Sequence, residues 1–229
     1  MFINKIKIFI ERIFRYLNIH WPTKQQWEIR GKSYKNEQIS DTYQKMYLDI
    51  AQRCIAENPK SILEYGCGYG HLLKVISQMD KENTIKQYYG IDFSSTQIAN
   101  ARQYFPQAVF SCEDLVNNFK LFDDEVFDVV VGISVLMYIN KKHIDQVLSG
   151  LLRITKSKIF IVEYYYKYLS EGKKEAYRNA VNSDGRCVYD YEDLLKKAGF
   201  KSVNIVHLNY FNDSVTGEMP HTLIIGAKS

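Results

Sequence analysis

The sequence has few of the features that mark secreted, metal-binding or membrane-spanning proteins. Its four cysteines are far apart and show no spacing typical of metal ligands. Cys67 lies within a glycine-rich turn, where a disulfide would fit poorly, so we expect reduced thiols, no metal and a cytoplasmic location. No apolar run reaches the length of a transmembrane helix, and we find no internal repeat or low-complexity segment.

A strong charge of one sign is also missing. The net charge of +4 over 229 residues permits an anionic partner but does not require one. No basic patch with interleaved aromatic residues occurs beyond the first twenty residues, so we expect no nucleic acid as a partner. With 46% hydrophobic and 24% charged residues, the composition indicates one globular α/β domain with short additions.

The most informative feature is the stretch of residues 62–70, which reads ILEYGCGYG. A short apolar strand leads into Glu64, and three glycines at alternate positions open onto a helix, which is a general nucleotide-binding device. The dinucleotide pattern needs its third glycine one residue later, where His71 stands. A carboxylate suits the ammonium and sulfonium groups of S-adenosylmethionine and opposes a pyrophosphate. The stretch therefore favours S-adenosylmethionine over a dinucleotide.

A second landmark, YYGIDFS at residues 88–94, places Asp92 after a strand and about 20 residues beyond the glycines. With these motifs the chain, from about Ser40 onward, resembles the Rossmann-like (class I) S-adenosylmethionine-dependent methyltransferases. The resemblance implies that Asp92 binds the ribose, Phe93 packs on the adenine, and an acid after the third strand meets the adenine amino group. The cofactor-binding residues that it implies are Glu64, Tyr65, Gly66, Cys67, Gly68, Gly70, Asp92, Phe93, Glu113, Asp114, Gly132, Ile133 and Ser134.

A lid is a further implication of the resemblance. In many relatives the segment before the first helix of the domain folds over the cofactor. Here Trp27 and Tyr34 could stack on the ligand, and Arg30 could pair with its carboxylate. The alternative is a surface segment anchored by its aromatic residues.

Strand and helix patterns alternate along the chain, which predicts a mostly parallel sheet with helices on both faces. By resemblance the sheet has seven strands, with the last one antiparallel between the fifth and the sixth. We predict helices at 41–57, 95–105, 141–153 and 190–198, and strands near 61, at 126–131, 158–163, 203–208 and 222–227.

The first twenty residues predict a basic amphipathic helix, because apolar residues recur at helical spacing among lysines and arginines. Such a helix could lie on the inner membrane face, pack on its own domain, or form a homodimer contact. We divide the chain into 1–39, which holds this helix and the lid, and 40–229, the cofactor-binding domain.

The acceptor is less well specified. Aromatic residues after strands four and five (Tyr138 and residues 164–166) and the segments 168–188 and 209–221 should line its site. The exit of strand four lacks the Asn/Asp-Pro-Pro-aromatic loop of many amino-methyltransferases. We therefore expect a small molecule, such as a sugar or a lipid-linked compound, methylated on oxygen or nitrogen by in-line displacement. The alternatives are an NAD-type oxidoreductase and a catalytically silent module that binds S-adenosylmethionine.

An alcohol acceptor would need a base to remove its proton. Position alone suggests Glu163, at the end of strand five, and His221, at the start of the last strand. His143 is a weaker candidate, because it lies early in a helix and is more typical of a solvated face.

Overall fold

The computed structural model describes residues 24–34, 39–116, 121–165, 186–208 and 221–228. The predicted N-terminal helix and most of the predicted acceptor segments lie outside these ranges, as do the side chains of Ser33 and Tyr34. Six helices and seven strands are described. The helices are α1 (Lys24–Tyr34), α2 (Asp41–Ala56), α3 (His71–Met79), α4 (Ser95–Tyr104), α5 (Lys141–Ile154) and α6 (Tyr191–Ala198). The strands are β1 (Ser61–Tyr65), β2 (Gln87–Asp92), β3 (Val109–Cys112), β4 (Phe127–Ile133), β5 (Thr155–Tyr164), β6 (Ser202–His207) and β7 (His221–Ala227).

All seven strands form one sheet in the order β3-β2-β1-β4-β5-β7-β6. The five strands β1 to β5 run parallel, and β7 is antiparallel to both of its neighbours. The predicted fold is confirmed, including the insertion of the last strand between the fifth and the sixth. The strand order reverses between β1 and β4, and ligands of such sheets bind beyond the carboxyl ends of the strands at that point.

The sheet separates two hydrophobic cores, because neighbouring residues of a strand point to opposite faces. On one face Ile62 and Val131 pack among the buried residues of α2, α3 and α4. On the other, Tyr65 and Val130 pack among those of α5 and α6. β1 and most of β4 are buried on both sides, which explains their nearly continuous apolar sequence.

The largest difference from the predicted boundaries is at β5, which begins at Thr155 rather than Lys158. The chain passes from α5 into β5 without a loop, since the buried hydroxyl of Thr155 donates to the carbonyl of Leu151 at 2.6 Å. Across the described ranges no helix is long and apolar enough to cross a membrane. Within the same ranges no three His, Cys, Asp or Glu side chains lie together as metal ligands would.

Candidate cofactor site at the carboxyl edge of the sheet

The glycine turn joins β1 to α3 in a conformation that other residues rarely adopt. Gly66, Gly68 and Gly70 have φ angles of 63°, 53° and 79°, all in the left-handed region. A Cβ added at Gly66 would lie 2.3 Å from a methyl of Val135, whereas one at Gly68 would meet nothing nearer than Gln97 Nε2, at 3.9 Å. Gly66 is thus needed for packing, and Gly68 leaves bare backbone open to a ligand.

Asp92 connects the end of β2 to this turn. Its Oδ2 accepts the backbone N–H of Gly68 at 3.0 Å, and its Oδ1 accepts that of Ser94 at 2.9 Å. Burial raises the pKa of Asp92, and these hydrogen bonds oppose the change. Because a carboxylate oxygen can accept two hydrogen bonds, each has capacity for one further donor. Two ribose hydroxyls would match that capacity.

Glu64 lies beneath the turn rather than in the open site. It is 5% exposed, and burial raises its pKa well above the usual value, opposed by a hydrogen bond from the backbone of Leu73. The carboxylate therefore caps α3, whose N-cap residue Gly70 offers no side chain. Its Oε2 is buried and has no hydrogen-bond partner among the described residues. That oxygen could accept a hydrogen bond from a ligand ammonium.

The two acids after β3 remain alternatives. The backbone N–H of Glu113 donates to the carbonyl of Asp92 at 2.9 Å, which joins the ends of β2 and β3. Asp114 accepts the N–H of Val116 at 2.9 Å through its own side chain. Both acids are half-buried, as is Phe93, and their predicted contacts with the adenine stay predictions.

Asp92, at the end of β2, forms one wall of the site. The exit of β4 forms the opposite wall, because β1 lies between β2 and β4 in the sheet. Gly132 lies against the ring of Tyr65, where a Cβ would come within 2.1 Å of the ring carbons. Tyr65 is fully buried, so it supports the wall from below. Ser134 has a φ of 56°, unusual for a residue with a side chain, and its N–H donates to Val162 at 2.8 Å. The irregular backbone after Gly132 is therefore held in place by β5.

Helix α1 extends between these two walls. Trp27 contacts the ring of Tyr138, after β4, edge to face at 5.5 Å, and Arg30 stacks on Trp27 at 5.3 Å. At the other wall, Asn100 of α4 donates to the carbonyl of Gly31 at 2.9 Å. The position fits a lid, but Trp27 contacts both Arg30 and Tyr138, so the predicted contact of Trp27 and Arg30 with the cofactor stays a prediction.

Two polar residues of this site were not found from the sequence. Glu28 of α1 accepts the N–H groups of Ser95 and Thr96 at 2.7 and 2.9 Å, and the hydroxyls of Ser94 and Ser95 at 3.0 and 3.1 Å. Gln97 is 2% exposed, and its Oε1 has no partner in the described part of the chain. The serines following Asp92 were a signal for a helix start, but nothing local identified their distant partner.

The structure places the two predicted catalytic residues differently from each other. Glu163 is fully buried and accepts the N–H groups of Val135 and Leu136, so it contacts backbone and not the open site. His221 is 4% exposed at the carboxyl edge, with its ring 4.3 Å from that of Tyr164. Burial, with Arg186 nearby, lowers the pKa of His221 to about 4, which makes the imidazole neutral at pH 7. His143 is half-buried near the start of α5, away from these contacts.

A comparison with known proteins identifies the family. A family model described as a methyltransferase domain matches residues 62–158, from β1 into β5. Residues 62–158 therefore form a methyltransferase domain, and the fold around them is that of the Rossmann-like S-adenosylmethionine-dependent methyltransferases. Its curated relative in Drosophila melanogaster, tRNA N(3)-methylcytidine methyltransferase Mettl2, is 25% identical over 166 residues. The match covers 65% of this chain and 51% of the relative, so the chain spans about half that protein's length.

Solved structures agree with the fold. A chain of the complex between the Haloferax volcanii Trm112 methyltransferase activator and a methyltransferase superposes with a TM-score of 0.66 at 17% identity, covering 89% of this chain and 95% of that one. Magnesium protoporphyrin IX methyltransferase from Synechocystis, solved with bound S-adenosylmethionine, gives 0.56 at 16% identity, covering 84% and 86%.

The described side chains fit S-adenosylmethionine, the cofactor of this family. The open backbone at Gly68 can accommodate the ligand, and Asp92 has capacity for two hydroxyl donors. The orphaned Oε2 of Glu64 is an acceptor for an ammonium. All three features lie on one side of the β1–β4 switch point, where the fold predicts the site.

Proposed function

We propose that this methyltransferase transfers a methyl group to an oxygen or nitrogen of a small-molecule acceptor. The observation that carries the proposal is the contact between Asp92 and the N–H of Gly68, which presents a carboxylate and bare backbone on one surface. When bound, S-adenosylmethionine supplies an electrophilic methyl on its sulfonium. The protein's own residues would bind and orient the two reactants for in-line attack.

The position of Glu28 supports an adenosine ligand that carries no phosphate on its ribose. A helix N-terminus next to the ribose site is where nucleotide enzymes hold phosphates. At α4 that position is occupied by the Glu28 carboxylate, whose pKa is about 2. Burial alone would raise this pKa, but hydrogen bonds from Thr96, Ser95 and Ser94 outweigh it. A phosphate on the ribose would meet that negative charge. The site therefore disfavours a dinucleotide whose adenosine ribose carries a phosphate.

The lack of a suitable base at Glu163 and His221 supports an acceptor that loses its proton easily or needs no base. Glu163 is occupied with backbone donors, and the lowered pKa of His221 makes it a weak proton acceptor. A base works best when its pKa lies near the working pH. An amine, or a hydroxyl that is already acidic such as a phenol, needs less help than a sugar alcohol. We therefore favour these two acceptor types.

The distribution of charge supports a small molecule. The chain has 30 basic and 26 acidic residues, of which four basic and one acidic lie in residues 1–23. The remainder therefore holds 26 basic and 25 acidic residues, close to neutral. Proteins that bind RNA usually neutralise several phosphates with a clear basic excess.

RNA is the second candidate acceptor. The name of the Drosophila relative describes a tRNA enzyme, so our expectation of no nucleic-acid partner is unsupported by the comparisons. The basic segment 1–20, outside the described residues, could supply the missing charge. In the superposed complex the methyltransferase is bound to the Trm112 activator, which suggests a protein partner for this chain as well.

Calorimetry with S-adenosylhomocysteine and with NAD tests the cofactor first. We expect binding of the former alone, and about a 100-fold weaker affinity for Asp92→Ala, since two charge-assisted hydrogen bonds are lost. The control is Asp128→Ala: Asp128 accepts the N–H groups of Lys60 and Ser61 at the other end of the sheet, so its loss should lower stability alone. An Asp92 variant with full affinity would refute the proposed site.

Labelled methyl transfer then tests the acceptor. The full-length protein is incubated with a panel of amines, phenols, sugars and lipid-linked sugars, and separately with bulk tRNA at low and moderate salt. Transfer to a small compound supports the proposal. Transfer to tRNA alone, weakened steeply by salt, would replace it with the RNA alternative.

A further inference from the structure

Glu163 has an environment that its predicted role as a base does not explain. It lies near the end of β5, where it pairs with Thr222 of β7, and none of its surface is exposed. Its side chain shares a face of the sheet with Tyr65 and Tyr191, which are fully buried as well. A buried carboxylate is costly unless it makes strong hydrogen bonds, so its contacts identify what it stabilises.

Those contacts are with the backbone that leaves β4. Glu163 Oε1 accepts the N–H of Val135 at 2.7 Å and that of Leu136 at 2.6 Å. These groups stand at the start of the 3₁₀ turn Leu136–Tyr138, whose N-cap residue Val135 forms no cap with its own side chain. Unpaired buried N–H groups destabilise a protein, and here a neighbouring strand supplies the acceptor.

The same contact extends to the glycine turn. The side chain of Val135 packs so closely on Gly66 that a Cβ there would lie 2.3 Å from Val135 Cγ2. Ser134, directly before Val135, keeps its left-handed φ of 56° next to this contact. One carboxylate oxygen therefore holds two backbone segments, the exit of β4 and, through Val135, the turn that carries Gly66 to Gly70.

We propose that Glu163 is a positioning residue that fixes the β4 exit loop and the glycine turn in their cofactor-binding arrangement. The inference rests on the proposed cofactor site and adds a residue that supports it from the core. It acts through Val135 and Leu136 and touches neither cofactor nor acceptor. This role replaces that of a general base, for which the carboxylate would have to reach the open site.

The surroundings of the second carboxylate oxygen of Glu163 indicate that glutamine should be tolerated at this position. Glu163 Oε2 is buried without a partner among the described residues, and the same holds for the hydroxyls of Tyr65 and Tyr191, both of which interact electrostatically with Glu163. A glutamine keeps an acceptor oxygen for the two N–H groups. Its amide nitrogen would replace Oε2, and tyrosine hydroxyls can accept from it.

The test compares Glu163→Gln with Glu163→Leu in the full-length protein, with S-adenosylhomocysteine as the calorimetric probe. We expect Glu163→Gln to bind within about threefold of wild type, and Glu163→Leu to bind ten- to a hundredfold more weakly, because two N–H groups lose their acceptor. Should Glu163→Leu fail to fold, Val135→Ala removes the packing on Gly66 through which Glu163 acts on the glycine turn, and it should weaken binding severalfold while remaining folded.

Wild-type affinity in Glu163→Leu, or in Val135→Ala when it replaces that variant, would overturn the positioning role, as would equal losses in Glu163→Gln and Glu163→Leu. If Glu163 were instead a general base, both Glu163 variants would keep wild-type cofactor affinity. That result would refute the positioning role. A failure of the proposed function is distinguishable, because wild-type protein itself would then not bind S-adenosylhomocysteine.

Discussion

Two glutamates on either side of the β1–β4 switch point perform the same structural task, but their pKa values shift in opposite directions. Glu28 accepts two consecutive N–H groups at the start of α4, and Glu163 accepts two at the start of the 3₁₀ turn after β4. Yet the pKa of Glu28 falls to about 2, whereas that of Glu163 rises to about 8.

Burial accounts for the difference. At Glu163 the cost of removing a charge from water is the largest effect, and hydrogen bonds from Val135, Leu136 and Met137 only reduce it. Glu28 is half-buried, and it also accepts the hydroxyls of Ser94 and Ser95, so its hydrogen bonds outweigh the cost. The same backbone contact yields an anion at the start of α4 and a group able to hold a proton in the core.

Two glycines give the strongest test of the contrast between the open edge and the buried core, because Gly68 lies at the edge and Gly132 lies against a core ring. We expect Gly132→Ala to destabilise the protein by about 3 kcal/mol or more, because its Cβ would overlap the buried ring of Tyr65. Gly68→Ala has open space, so we expect only about 1 kcal/mol of backbone strain but a clear loss of S-adenosylhomocysteine affinity. Thermal unfolding and calorimetry measure the two effects. If both variants lost stability equally, the distinction would be wrong.

The pH dependence of stability is the second test. The pKa of Glu163 is about 8 in the folded protein against an ordinary value of 4.5, so the folded state binds the proton more tightly. Its stabilising contribution is therefore complete below about pH 4.5 and is lost as the pH rises through about 8. The half-buried His71 and the buried His221, with pKa values lowered to about 4, act in the opposite direction below about pH 6.5.

The informative window is thus about pH 7 to 8. We expect the wild-type free energy of unfolding to fall there by about 1 kcal/mol, since one pKa unit corresponds to about 1.4 kcal/mol. Urea titrations at several pH values measure it, with Glu163→Gln as the control. A slope that persisted unchanged in Glu163→Gln would assign it to another group.

The smallest expected effect is at Glu28. Because Glu28→Gln keeps one acceptor oxygen but loses the charge at the N-terminus of α4, we expect a loss of about 0.5 kcal/mol at pH 7. The pKa of Glu28 is lowered, so its contribution is present above about pH 4.5 and disappears as the pH falls through about 2. Urea unfolding at pH 7 measures this, and Gln25→Ala on the exposed side of α1 is the control. Equal stability of wild type and Glu28→Gln would show that α1 docks without the carboxylate.

Local sequence was sufficient to predict the glycine turn and the acid after β2. Gly66, Gly68 and Gly70 stand close together in the chain, and Asp92 follows the next strand, so spacing and residue type identified them without any long-range information. The same holds for the sheet, because the alternation of strands and helices and the apolar runs of β1 and β4 express burial directly. The predicted glycine turn is present with the positive φ angles that its glycines allow.

Contacts between distant segments could not be predicted in this way. Glu28 and Ser94 are 66 positions apart, and Glu163 and Leu136 are 27 apart, with no periodicity to relate them. The sequence placed Glu163 at the correct strand end but could not show that its side chain turns inward to the backbone.

By itself, then, the sequence determined the glycine turn and the acid beside it, because the left-handed turn and the acid after β2 are properties of short segments. Only the tertiary structure decided which carboxylates keep their charge. That depends on how much water the packed sheet and helices exclude from each group, and exclusion of water is a property of the whole fold.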